Sequence, residues 1–375
     1  MKNPFYFREL PLNAPFCDRQ TELAELLSHA ENRANVVLYS PRRYGKTSIV
    51  KRVQNQLGNK SLATVYVDFF GVDSIEDMMV RLASRVYKYS HSNESLFKKM
   101  MRFLSSWRPV VRPDPEYGAS LTVEPATKLR GVELLEETLT GLGKFISDHK
   151  KGCHIVFDEF QEIVELKESA KIEGILRSHI QTHSNASYFF VGSRRTILNA
   201  IFNDKKRPFF RSAIGFNLEP LPYDEATDFI IEQFKKGGKA CPEGIARKIT
   251  ETVKGYPYYI QRVPYSIYEI SEKKITDNDY VEGFKKVLDE ERQLFEAMIR
   301  VLAIQQIKLT AALAIEPTPN VFAAEYIHRY NLGSIGGIQG TLKKLLSLDY
   351  IEKTDKEYHL VDPVFAIWLR NLKGY

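Results

Sequence analysis

Between Leu38 and Val50 the chain reads LYSPRRYGKTSIV. The apolar run Val36–Tyr39 leads into a basic turn, and Thr47–Gln56 then alternates apolar with basic positions, which predicts strand, loop and helix in that order. This context narrows the possible folds sharply. Backbone N–H groups of Tyr44, Gly45, Lys46 and Thr47 would converge at a helix N-terminus, where phosphate binds. Lys46 adds a cation for the outer phosphates of a nucleotide, and the Thr47 hydroxyl is a ligand for Mg²⁺. Pro41, Arg42, Arg43 and Ser48 complete the expected nucleotide contacts. Ser40 stands where such a loop has its first glycine. If that position needs a left-handed backbone, serine costs about 1–2 kcal/mol. Micromolar binding is worth roughly 8 kcal/mol, so the site is weakened and not lost. The competing reading is a basic turn that solvates a helix start.

The first 220 or so residues keep this alternation. Val36–Tyr39, Thr64–Phe69, His154–Phe157, Tyr188–Val191 and Phe216–Leu218 are short and mostly apolar on both faces. Strands of that kind are covered by helices on both sides, so the fold class is α/β with a parallel sheet. Arg108–Pro125 holds four prolines and predicts an exposed loop or hairpin. After Leu218 the strands stop, and Asp224–Lys236, Pro242–Val253 and Tyr258–Lys273 predict a helical lid. From near Gln293, helices over Leu294–Ile304, Val321–Tyr330 and Ile335–Leu348 precede two short runs, Tyr350–Thr354 and Glu357–Val361. That is the layout of a winged helix-turn-helix. The expected domains are 1–218, 219–290 and 291–375.

A second stretch, CHIVFDEFQEI, delivers Asp158 and Glu159 to the carboxyl end of a strand about 110 residues after the loop. Asp158 would hold Mg²⁺, directly or through water, and Glu159 would polarise the water that attacks a γ-phosphate. Alone, an Asp-Glu pair is more often an acidic helix cap. The next strand ends in VGSRR, where Ser193 is placed to bond the γ-phosphate or the water, and Arg194 or Arg195 to reach the γ-phosphate. A turn with solvated arginines is the equal alternative. Arg211 is either an arginine finger for a neighbouring subunit or a surface salt-bridge partner.

With these marks the chain resembles the archaeal-type P-loop ATPases within the AAA+ and STAND assemblage, over essentially its whole length. The resemblance rests on FCDRQTELAEL, SPRRYGKTSIV, VFDEFQEI, VGSRR, NLEPLPYDEA, GYPYYIQ and DPVFAIWLR. It implies ATP or ADP with Mg²⁺ as ligands, and hydrolysis that moves a lid and winged helix. It places Phe16, Asp18 and Arg19 against adenine and ribose, and Pro257 closing over the nucleotide. Ser40 is one departure. The other is Gly255-Tyr256-Pro257 where AAA+ initiators carry a lid arginine, which favours a STAND-like switch over a processive motor and leaves Arg262 as the sensor candidate. Two alternatives stay open: an ATP-gated DNA-binding initiator or regulator, and a switch that holds ADP for a protein partner.

The chain has 375 residues, 43% hydrophobic and 27% charged, as expected of a soluble protein of two or three domains. No run approaches membrane-span length, and MKNPFYFREL lacks the apolar core of a signal peptide. Cys17, Cys153 and Cys241 have no paired or metal-ligand spacing, which reads as packed thiols in a cytoplasmic protein. The net charge of +6 does not demand nucleic acid. From Leu294 to Tyr375, nine Lys and Arg face eight Asp and Glu, a poor electrostatic match to a phosphate backbone. The recognition helix opens SIGGIQG, with Ser334 and Gln339 as base-reading candidates and Lys343 and Lys344 near its end. Double-stranded DNA, a protein partner and a homo-oligomer all remain candidate partners.

Overall fold

The protein is described from a computed structural model covering residues 2–7, 10–12, 14–17, 19–91, 94–114, 118–354 and 356–372. In chain order the strands are β1 (Val36–Tyr39), β2 (Ala63–Asp68), β3 (Trp107–Asp114), β4 (Gly118–Pro125), β5 (Cys153–Asp158), β6 (Ala186–Gly192) and β7 (Ile214–Asn217). Five of them form a parallel sheet in the order β2-β5-β6-β1-β7. Every residue of β5 and β6 is buried, as a strand covered on both faces requires. Beside them Phe157, Phe160, Phe190, Phe202 and Phe209 pack ring to ring. The proline-rich stretch is a hairpin, β3 pairing antiparallel with β4. Its prolines are tolerated because neither strand belongs to the main sheet.

The chain divides into two compact units. One holds residues 20–40 and 46–218, which include the sheet. The other holds 1–19, 41–45 and 219–375. In this second unit the lid helices are Tyr223–Lys236, Glu243–Thr252 and Pro257–Ile270. Gly255 has φ +65, and a Cβ there would stand 2.2 Å from the Leu221 carbonyl oxygen, so both conformation and space demand glycine.

The expected helix over Leu294–Ile304 is corrected. A 24-residue helix, Asp277–Arg300, ends first, and a separate helix runs over Ile304–Ile315. Apolar residues continue through the break and hide it from periodicity. The break is made locally: the Gln306 side chain accepts from the Ala303 N–H at 3.0 Å and restarts the helix. Ala324–Arg329 and Ile335–Ser347 follow, then the hairpin of β8 (Ile351–Lys353) and β9 (Tyr358–Leu360) and a closing helix, Pro363–Asn371. All three cysteines are buried and free, and burial pushes the thiols of Cys153 and Cys241 up to about 12. No helix among the described residues is long and apolar enough to cross a membrane.

Candidate active site

Because β1, β5 and β6 are parallel neighbours, their carboxyl ends share one edge of the sheet. Ser40 follows β1, Asp158 closes β5, and Ser193 follows Gly192 of β6. The helix after the loop starts at Lys46, which is almost fully buried, and its ammonium donates to the Ser40 carbonyl at 2.9 Å. Ser48 is half-buried in the first turn. Ser40 is buried and is not among the residues with positive φ. The left-handed positions are Arg43, at φ 62, and Gly45, at φ 85. Position 40 therefore needs no left-handed backbone, and the conditional cost of serine there does not arise. At Gly45, where a Cβ would sit, nothing lies within 4 Å. Only the backbone conformation demands glycine here, and the space beside it is open, as close approach of a phosphate needs.

On the acidic side, Asp158 is buried and fully bonded. Its Oδ2 accepts from the Thr47 hydroxyl at 3.0 Å and from the Tyr66 hydroxyl, while Oδ1 accepts from the Glu159 N–H at 2.9 Å. Burial, and then the Asp158 charge, push the Tyr66 hydroxyl well above the ordinary tyrosine value. Glu159 has a left-handed backbone, φ 50 and ψ 41, and caps the 3-10 turn Phe160–Glu165. Its Oε2 accepts from the Gln161 side-chain amide and from the Ser193 hydroxyl at 3.2 Å. Glu159 thus takes the N-cap position of that turn, but its side chain makes no cap hydrogen bond.

Among the described residues no group of three or more His, Cys, Asp or Glu is arranged to hold a metal. Thr47 with Asp158 is instead one hydroxyl beside one carboxylate, the sparse set Mg²⁺ uses when phosphates supply further ligands. The residues fit that ion.

The arginines divide. Arg194 lies 3.2 Å from Glu165 and 3.7 Å from Glu162, so its charge is already matched. Arg195 opens the helix Arg195–Asn203. Arg211 is exposed with φ 52, its guanidinium is 5.2 Å from the Phe210 ring, and it makes no ion pair among the described residues.

The crest of the loop, Pro41–Gly45, belongs to the unit that carries the lid. Pro41 is buried. The Tyr256 hydroxyl donates to the Arg42 carbonyl at 2.7 Å, and the rings of Tyr44 and Tyr256 meet edge to face at 4.7 Å. The Arg43 guanidinium lies 4.3 Å over the Tyr258 ring and 3.5 Å from Glu291. Burial works against its charge, but Tyr258 and Glu291 outweigh burial and its pKa is raised. Burial and the hydrogen bond to Glu291 push Tyr258 up to about 12. Tyr259 donates to Asp362 at 2.9 Å, and Asp362 caps the closing helix through the Val364 and Phe365 N–H groups. Each tyrosine of GYPYYIQ thus has a separate partner, and Asp362 explains the start of DPVFAIWLR.

Pro257 is the first residue of its helix, where a missing N–H costs nothing. Phe16 is half-buried. Arg19 is buried, with φ 73, and donates to the Glu219 carbonyl. Asp18 lies outside the described residues. Arg262 is buried, pairs with Glu290, donates to Ser266 at 2.7 Å and covers the Phe7 ring at 4.7 Å. In the winged helix the Ser334 hydroxyl accepts from the Gly337 N–H at 3.3 Å, so this base-reading candidate serves as a helix cap.

Sequence reasoning missed Tyr66, Gln161, Tyr258, Glu291 and Asp362. Tyr66 was findable only through strand order: β2 pairs with β5 so that Asp68 faces Asp158, and Tyr66 precedes it by two residues.

Residues 16–263 match a family described as an ATPase domain predominantly from Archaea, and residues 293–371 match a probable winged helix domain. No curated protein sequence matches the chain significantly. Among solved structures, a Walker-type ATPase of Pyrococcus abyssi is similar with a TM-score of 0.72 at 17% identity, covering 98% of this chain and 99% of that one. The ORC2 protein of Aeropyrum pernix, in ADPNP and ADP complexes, is similar at 0.61 and 14% identity, covering 97% and 96%. The ORC1 protein of Aeropyrum pernix in complex with DNA is similar at 0.51 and 14% identity, covering 97% and 94%. At these identities the likeness is one of fold: a P-loop ATPase sheet with a C-terminal winged helix.

Proposed function

We propose, from the premise that this chain belongs to the family of ATPases found predominantly in Archaea, that it binds ATP on the Ser40–Thr47 loop and hydrolyses it to reset its lid and winged helix. The observation that carries this reading is the gathering of Lys46, Thr47, Asp158, Glu159 and Ser193 at the carboxyl ends of three neighbouring parallel strands. Loop N–H groups and Lys46 bind and orient the phosphates. Thr47 and Asp158 would hold Mg²⁺, which supplies positive charge beside the phosphate oxygens. Glu159 orients a water for attack on the γ-phosphate and takes up its proton. Ser193 bonds the γ-phosphate or that water. Arg211, if supplied by one copy of the chain to another, adds charge to the transition state.

The test is ATP turnover with Mg²⁺ over a range of protein concentrations, with Glu159→Gln alongside. Loss of about 10²-fold or more in the variant, with nucleotide binding retained, is the expected result. A variant that turns over like the wild type would move the chemistry elsewhere. Turnover per chain that climbs with concentration would support Arg211 acting between copies.

A DNA-binding reading has its own observation: Gln339, Gly340, Lys343 and Lys344 are exposed on the helix Ile335–Ser347. One structural neighbour is itself a DNA complex. Duplex binding that falls steeply with salt and weakens in Lys343→Ala would support this reading; binding insensitive to both would remove it. Purified protein that carries stoichiometric ADP and hardly turns over would favour the ADP-held switch with a protein partner.

A further inference from the structure

The hairpin of β3 and β4 has one edge closed to further pairing and one edge open. The Ala126 N–H donates to the Ser106 carbonyl at 2.7 Å, one step beyond the pair Trp107 and Pro125. Even-numbered residues therefore bond across the ladder, and odd-numbered ones turn their N–H and C=O groups outward. On β3 the outward positions include Pro109 and Pro113, which have no N–H to offer another strand. On β4 they include Leu121 and Val123, which do. No strand among the described residues pairs with that side of β4.

The open edge lines a groove of about 980 Å³, between Ser120–Thr122 and the helix Ile75–Ser90. Val111, which stands opposite Leu121 in the ladder, is 67% exposed there. The helix contributes Arg81, Arg85 and Lys88, whose spacing puts them on one face. Arg81 is already matched: it pairs with Asp77 at 2.8 Å and donates to the carbonyls of Asp68 and Phe70. Arg85 and Lys88 are exposed and make no ion pair among the described residues. The carboxylate on the lining, Asp68, accepts from the Phe70 N–H at 2.8 Å.

We propose that this groove docks an extended acidic segment of a partner protein, which adds a strand to the open edge of β4. The main chain of that segment pairs with the outward groups of Leu121 and Val123. Its apolar side chains cover Val111, and its carboxylates meet Arg85 and Lys88. A nucleic-acid strand would satisfy the two cations but would leave the strand edge unpaired. None of these residues belongs to the proposed nucleotide site, so the inference stands apart from that reading.

The probe is a fluorescein-labelled octapeptide of alternating Glu and Val, followed by anisotropy with the full chain. Its controls are the same peptide N-methylated at every second residue, in both registers, a Lys-Val octapeptide, and a short oligothymidylate. The Glu-Val peptide is expected to bind, and the Lys-Val peptide is not. One N-methylated register should bind on the order of tenfold more weakly, because methylation removes the main-chain donors and keeps the charges. Arg85→Glu with Lys88→Glu should cost at least about tenfold at an unchanged Tm, since both side chains are exposed. Full affinity in both N-methylated registers would reduce the groove to a patch of charge and overturn strand addition. Binding of the oligothymidylate alone, lost in the double variant, would give the groove to nucleic acid and overturn the proposal. Failure of the Glu-Val peptide to bind at about 1 mM would overturn it too.

Discussion

The base and the crest of the phosphate loop are built from adjacent residues and do different work. At the base, Lys46 reaches the Ser40 carbonyl and Thr47 reaches Asp158, so polar groups are held beside the strand ends. At the crest, the Arg42 carbonyl and the Tyr44 ring meet Tyr256, and the Arg43 guanidinium is spent on Tyr258 and Glu291. Charge alone would assign Arg43 to phosphate as readily as Lys46. Shape separates them: a planar guanidinium suits an aromatic face with a carboxylate beside it, whereas an ammonium is a compact point charge. A cation in a phosphate loop can therefore be held by an aromatic face and a carboxylate of the lid unit. From the crest, contacts run through Glu291 on the helix Asp277–Arg300, and from Tyr259 to the cap of the winged-helix segment at Asp362.

The strongest way to break this division is Arg43→Ala. It leaves Glu291 with its charge and without its cation, and it uncovers the Tyr258 ring. The expected loss is about 2 kcal/mol of stability, given that the arginine is itself partly exposed. Turnover should stay within a few-fold of wild type. Nucleotide-dependent change in hydrogen exchange over Pro363–Asn371 should vanish. Arg43→Lys keeps the charge but not the planar stack and should fall between. If Arg43→Ala abolishes turnover as a phosphate ligand would, crest and base are one device.

The sheet was legible because its inner strands β1, β5 and β6 are apolar on both faces and the loop motif orients the first of them, whereas the edge strands β2 and β7 are buried only in part. The acidic pair was legible for the same reason, since a buried strand that ends in Asp158-Glu159 leaves them at the carboxyl edge of the sheet. What stayed hidden is what depends on partners distant in sequence. Nothing local marks Tyr66 as a donor to Asp158, because the order β2-β5 is a property of the folded sheet. Glu291 looks like one more solvated helix charge, and only the approach of Arg43 gives it a role. The break at residues 301–303 was invisible because the chain stays apolar through it while a polar side chain, Gln306, makes the new start.

Asp362, the partner of Tyr259, is open to a test through pH. Burial pushes its carboxyl up to about 6, even against the helpful hydrogen bonds from Phe365, Tyr259 and Val364. Between the ordinary value of 3.8 and about 6, the folded chain keeps a proton there that the unfolded chain has released. Stability from this group is therefore greatest at low pH, falls as pH rises through that window, and is flat above it. The full shift corresponds to nearly 3 kcal/mol, which partial solvent contact of the side chain reduces to about 1–2 kcal/mol. Asp362→Asn keeps an acceptor for the helix cap and loses the titration. Urea midpoints at pH 4, 5, 6 and 7 should show the variant gaining on the wild type by that amount. A constant difference across the series would mean that Asp362 is ionised throughout.

The smallest effect belongs to the residue that made the loop look deficient. Ser40→Gly restores the motif, and if position 40 needed a left-handed backbone it would tighten nucleotide binding by about tenfold. The structure puts the left-handed turns at Arg43 and Gly45 instead, and the group that position 40 offers Lys46 is a carbonyl that any residue has. Glycine there adds freedom to the unfolded chain and removes a buried hydroxymethyl group. The expected cost is about 1 kcal/mol of stability, with affinity for ATP changed by less than about threefold. Calorimetric titration beside a denaturation midpoint reads both numbers from one preparation. Tighter binding without loss of stability would place the strain back at the base of the loop, and the contrast with the crest would have to be drawn again.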